Sequence, residues 1–129
     1  MTSTAVVTTK RNAALIAARL LAGVLGGMQL AGAVYFLLIA PDESVWHGPW
    51  VDVPVVVVLL TGVFLKLVVA LAPGLDVARR IGLGLLAVGI GIGITLVKIP
   101  VYDEPESVVI IAVDAVLAGL LLLARRASR

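Results

Sequence analysis

Two charged residues stand inside long apolar runs, Asp114 and Lys66. A carboxylate surrounded by Val, Ile and Leu has to be paired, hydrated or protonated, and each state implies a different chemistry: a helix-joining ion pair, a cation site or a proton carrier. Counted from Ser107 at 1.5 Å per residue, Asp114 lies about 10 Å below one edge of its run. By the same rise Lys66, counted from Ala72, lies about 9 Å from the opposite edge. In a hydrocarbon core of roughly 30 Å the two are then offset by about 11 Å. This offset predicts that Lys66 snorkels toward the nearer surface. Asp114 is left to pair with Lys98, to meet an extended Lys66, or to sit neutral in a hydrogen-bonded layer with Gln29, Thr61 or Thr95.

Other reactive constellations are sparse. The chain has no cysteine, which removes disulfides, thiolate catalysis and zinc–thiolate or iron–sulfur sites. His47 is the single histidine, and the sequence points to no serine–aspartate pair or second histidine as its partner. Asp103, Glu104 and Glu106 form a short acidic loop, for which solvation is the expected state and a metal site is not predicted. The glycines of Gly89-Ile90-Gly91-Ile92-Gly93 lack the strand and lysine of a phosphate loop. Neither an enzyme nor a bound cofactor is expected.

The elements that position these residues are legible from composition. Of 129 residues, 61% are hydrophobic and 14% charged, against about 45–50% and 25% in soluble domains. Basic residues gather at Lys10, Arg11 and Arg19, at Arg79 and Arg80, and at Arg125, Arg126 and Arg129. Acidic residues gather between them, at Asp42, Glu43 and Asp52 and at Asp103, Glu104 and Glu106. The alternation predicts an all-α membrane protein of four antiparallel transmembrane helices, with both termini on the cytoplasmic side of the plasma or inner membrane. The expected spans are about 13–40, 54–72, 81–99 and 107–124, within a single membrane domain. Thr9 or Asn12 is expected to open the first, Asp52 to cap the second with Pro54 in its first turn, and Pro100 to stop the third. The run of valines at 55–58 would favour a strand in water, but in lipid an unpaired strand is excluded. Lys10 and Arg11 ahead of an apolar run have the outline of a secretory leader, but the run to Ala40 is long enough to span, so a retained helix is expected. The basic residues are divided among membrane edges and form no stripe for nucleic acid. Trp46, Trp50 and Tyr102 are expected to anchor the opposite edge among the lipid headgroups.

Small residues recur at helical spacing on every span. Ala22, Gly26, Gln29 and Ala33 share a face of the first helix, with Gly23 and Gly27 beside it. Gly62, Lys66 and Ala70 align on the second. The third offers two faces, one with Gly84, Ala87, Gly91, Thr95 and Lys98 and another with Gly82, Gly89 and Gly93. Ala115 and Gly119 pair on the fourth, next to Asp114 and Ala118. Such stripes let helices approach closely in lipid, where hydrophobic burial supplies no drive. They point to a non-catalytic subunit or accessory protein that packs against itself or a larger membrane complex; the alternative is a small oligomeric transporter or channel using Asp114. Small multidrug exporters carry a glutamate in their first helix where this chain has Gln29, and fluoride channels have a weaker charge bias; neither likeness holds.

Overall fold

The computed structural model describes residues 2–39, 47–102 and 105–127. Those residues are all helical or connecting, with no strand among them. Helix α1 covers Thr2–Val34 and widens into a π-helical turn at Tyr35–Ile39; α2 is Pro49–Leu71, α3 is Val77–Tyr102, and a 3₁₀ turn at Pro105–Ser107 leads into α4, Val108–Ala127. Four segments, Ala13–Val34, Pro49–Leu71, Val77–Tyr102 and Val108–Ala127, are long and apolar enough to cross a membrane. The chain is thus a small multi-pass integral membrane protein. Leu38, Trp50, Phe64, Leu71 and Met28 present their side chains outward, as a lipid-facing surface requires.

Each helix packs on two others: α1 on α2 and α4, and α3 on α2 and α4. The result is a four-helix bundle whose diagonal partners, α1 with α3 and α2 with α4, stand apart. Its core holds Ala18, Ala22, Val69, Ile81, Val88, Leu117 and Leu121, mixing small and branched side chains across facing positions. Close approach occurs where glycine permits it. A Cβ at Gly26 would lie 3.2 Å from the Lys66 Cβ, one at Gly23 3.3 Å from the Ala70 Cβ, and one at Gly62 3.1 Å from Ile90 Cγ2.

Several boundaries differ from the sequence reading. The first helix begins at Thr2, ahead of both Thr9 and Asn12. On α2, Pro49 takes the first-turn position expected of Pro54, which lies inside the helix. Proline at the start replaces an N–H that has no partner anyway. Gly48, at φ 108°, precedes it with a backbone that favours glycine. Asp52, expected to cap this helix, lies inside it instead; Gly48 is the N-cap, and Asp52 reaches back from the first turn to accept the N–H groups of His47 and Gly48 at 2.9 Å each. Pro100 does not stop α3, which continues to Tyr102. A proline near a helix end removes only one hydrogen bond, and here the Tyr102 hydroxyl donates to Asp52 at 2.5 Å, tying the last turn to α2.

Candidate functional site

The site lies on the bundle axis. Lys66 and Asp114 are 1% and 0% exposed, and Lys66 Nζ stands 3.0 Å from Asp114 Oδ1. The same ammonium donates to Gln29 Oε1 at 2.7 Å and to Asp114 Oδ2 at 3.4 Å. Lysine from α2 therefore spans the diagonal to aspartate on α4 and is met by glutamine from α1. The remaining helix, α3, contributes an absence of side chain. A Cβ on Gly91 would sit 2.7 Å from Asp114 Oδ2 and 2.9 Å from Lys66 Nζ, so a side chain there would force the two head groups to shift.

The expected snorkelling of Lys66 is not what occurs. A depth count treats helices as upright posts with level ends and ignores where side chains lean. In an α-helix the Cα–Cβ bond tilts toward the N-terminus, and on α2 that leads away from Ala72, toward Asp114. Extension along the axis thus follows the backbone's own direction, whereas snorkelling would reverse it. Lys66 also faces inward together with Gly62 and Val69, which leaves its ammonium no lateral route to a headgroup.

The remaining sequence candidates separate around this layer. Gln29 joins it. Thr95 is buried near by, but its hydroxyl donates to the Gly91 carbonyl at 2.6 Å rather than to Asp114. Thr61 is exposed and donates to its own helix at Val57, 2.8 Å, the usual resolution for a threonine in lipid. Asp114 takes Lys66 as its partner, not Lys98. Gly23, Gly26 and Gly62 lie at helix contacts, whereas Gly27, Gly89, Gly93 and Gly119 face outward with nothing within 4 Å of a Cβ. Gly84 and Gly91, on the other face of α3, are the tight ones: a Cβ on Gly84 would be 2.6 Å from Leu121. Their inward role follows from sharing a face with the buried Ala87 and Thr95. Trp50 is 92% exposed at its end of the bundle. Trp46 lies outside the described residues. Tyr102 does not simply face headgroups; it bonds Asp52 and meets the His47 ring edge-on at 5.2 Å.

Two residues that the sequence placed only among the basic membrane-edge clusters carry structural weight. Arg80, only 4% exposed, donates to the carbonyls of Val69 at 2.5 Å, Ala72 at 2.6 Å and Leu75 at 3.3 Å. Arg19 places two nitrogens on the Ala70 carbonyl, at 3.1 and 3.0 Å. Together they occupy two carbonyls that the end of α2 leaves open, Val69 and Ala70, and two of the turn that follows, Ala72 and Leu75, where the helix dipole also favours cations. Asp76 starts α3 beside them by accepting the Arg79 N–H at 2.7 Å. The available signal was that Pro73-Gly74 ends a helix with no capping side chain of its own, close to two arginines.

The axial layer can hold helices in register or exchange a proton between lysine and aspartate. It presents no triad for covalent catalysis, and among the described residues no group of histidines, cysteines and acids is arranged to hold a metal. No protein-family model, curated protein or solved structure matches the chain, so its chemistry rests on its own residues.

Proposed function

We propose that the chain is a non-catalytic subunit or assembly protein of the membrane, packing by its outer helix faces against a second copy or a larger complex. One observation carries this reading: the deep acid is already neutralised by Lys66, and the pair is sealed from the surface at 1% and 0% exposure. A carboxylate enclosed in this way serves the bundle itself. The outward small positions, Gly82, Gly89 and Gly93 on α3 and Ala115 and Gly119 on α4, are exposed and available for close helix contact. The proposed topology is antiparallel with both termini cytoplasmic. It is supported by contacts that run in opposite order along neighbours, Gly23 to Ala70 and Gly26 to Lys66, and by Arg19 and Arg80 meeting at one end.

A second reading, a proton or cation site in a small transporter, is favoured by one detail. Asp114 Oδ1 makes no hydrogen bond of acceptable geometry although Nζ is 3.0 Å away. A single pair of experiments separates the two. Cross-linking in native membranes, followed by affinity capture and mass spectrometry, should recover the chain with a second copy or a larger membrane partner. Purified protein in liposomes should show no pH-driven flux; flux that Asp114→Asn abolishes while assembly persists would replace the first reading with the second.

A further inference from the structure

The axial layer divides the bundle into two unlike halves. On the side of Arg19 and Arg80 the inward positions are sealed, and Ala18, Ala22, Val69, Leu117 and Leu121 are 0% exposed. The buried core cluster lies wholly in this half and is apolar throughout. Toward the other end, which holds Asp52 and Tyr102, the same helical faces carry different residues. The stripe of Leu121, Leu117 and Asp114 on α4 continues at spacings of three and four to Ile110 and Ser107. On α3 the face of Gly84 and Gly91 continues through Thr95 and Lys98 to Tyr102, and on α1 that of Ala18, Ala22 and Leu25 reaches Gln29.

These continuations are polar or loosely covered. Gln29, Lys98 and Ile110 stand on inward faces yet are partly exposed, while Thr95 and Ser107 are buried hydroxyls. Gln29 lies well inside the Ala13–Val34 span, so its exposure is not that of a helix end. It also carries the sharper pointer. Its Oε1 is taken by Lys66, but its amide nitrogen makes no hydrogen bond among the described residues. At membrane depth two N–H groups without an acceptor are strongly unfavourable. Ionisable side chains within a span face the bundle interior or a water-filled space, and Lys98 stands on this side of the layer.

We infer that this half of the bundle is a water-filled vestibule, open at the Tyr102 end and closed on the Lys66–Asp114 pair. The rise from Ser107 to Asp114 gives it a depth of about 10 Å. Gln29 is its floor, with its carbonyl on Lys66 and its N–H groups donating to water. A lipid chain would offer that amide no acceptor. Apolar spaces stay dry, but this one has Gln29, Thr95, Lys98 and Ser107 on its walls. Hydration therefore approaches the axial pair from one end only. It belongs to the interior of a single chain, whether or not a partner covers the outer faces.

The chain has no cysteine, so single-cysteine variants of the full protein in oriented vesicles test the vestibule one position at a time. The probe is a small membrane-impermeant methanethiosulfonate, which reacts with the thiolate that forms in water. Trp50→Cys, 92% exposed at the Asp52 end, marks the side. Ile110→Cys and Gln29→Cys should be modified from that side and from no other. Leu117→Cys and Ala22→Cys should resist the reagent from both sides. Water-edited solid-state NMR of the unsubstituted chain gives a second reading that no substitution disturbs. There the Gln29 side-chain amide and the Ile110 methyls should draw polarisation from water well before the methyls of Leu117 and Leu121. An unmodified Ile110→Cys, or a Gln29 amide as slow as the Leu117 methyls, would overturn the vestibule in favour of lipid or closed packing. Modification of Leu117→Cys at the rate of Ile110→Cys would overturn the seal. Modification of Ile110→Cys from both sides would overturn the single opening.

Discussion

Lys66 on the axis and Arg80 at the end of α2 are both almost wholly buried, at 1% and 4% exposure, yet their surroundings stabilise them by different means. Lys66 faces a carboxylate from the diagonal helix and an amide from a third. Arg80 faces no acid; its guanidinium fork is filled by backbone carbonyls. An ammonium is a compact charge that needs an opposite charge in a medium of low dielectric. A guanidinium spreads its charge over a planar fork, and a helix end offers several carbonyls already lacking partners. The axial solution depends on four helices at once, whereas the terminal one is largely local to a single turn and its neighbour.

The sharpest way to break this comparison is Asp114→Ala. It leaves a buried ammonium without its counter-charge, so a loss of about 3–5 kcal/mol is expected in unfolding by denaturing detergent. Lys66→Met combined with Asp114→Leu should recover most of that loss, since an apolar pair removes both charges together. If the double variant is as unstable as the single one, the two residues are not coupled.

Next in size is Gly91→Ala. Its methyl group would press on both head groups, and overpacking of this kind costs about 1–3 kcal/mol. Gly89→Ala and Gly93→Ala, on the open face of the same helix, should be neutral or slightly stabilising, by up to about 1 kcal/mol from helix propensity. Equal losses at all three positions would mean that the cost is one of backbone rather than of the axial layer.

At the other pole of the comparison, Arg80→Ala should cost about 1–3 kcal/mol by leaving buried carbonyls unsatisfied. Arg80→Lys should restore only part of it, because one ammonium cannot reproduce the fork. Full rescue by lysine would show that charge alone, and not geometry, holds the end of α2. The smallest effect is expected for Gln29→Leu. It removes a single interhelical hydrogen bond, worth about 0.6 kcal/mol in membrane bundles, and the same detergent titration reads it.

Much of the architecture was legible before any coordinates. The four apolar runs became four helices long enough to span, because lipid leaves the backbone no alternative that satisfies its own hydrogen bonds within one segment. Even the valines at 55–58, strand formers in water, are helical. Element ends were less legible. Pro49 and Pro54 are equally plausible at a helix start, and the choice fell to Asp52, which reaches back to Gly48 and His47. Pro100 looked like a stop, but a contact with Asp52 through Tyr102 supports the last turn beyond it.

Composition and period alone determined the class of this protein, the count of its spans and the set of polar residues within them. Both signals act along one helix: hydrophobic length selects what lies in the membrane, and a spacing of three or four selects a face. Whether Asp114 meets Lys66, Lys98 or neither depends on which helices stand diagonally, how far each is shifted along its axis, and which way each side chain leans. Those are relations between segments 48 residues apart, and the packing at Gly26, Gly62 and Gly91 sets them. The tertiary structure therefore decided the pairing, because a charge in lipid is stabilised by whatever the neighbouring helices bring to it.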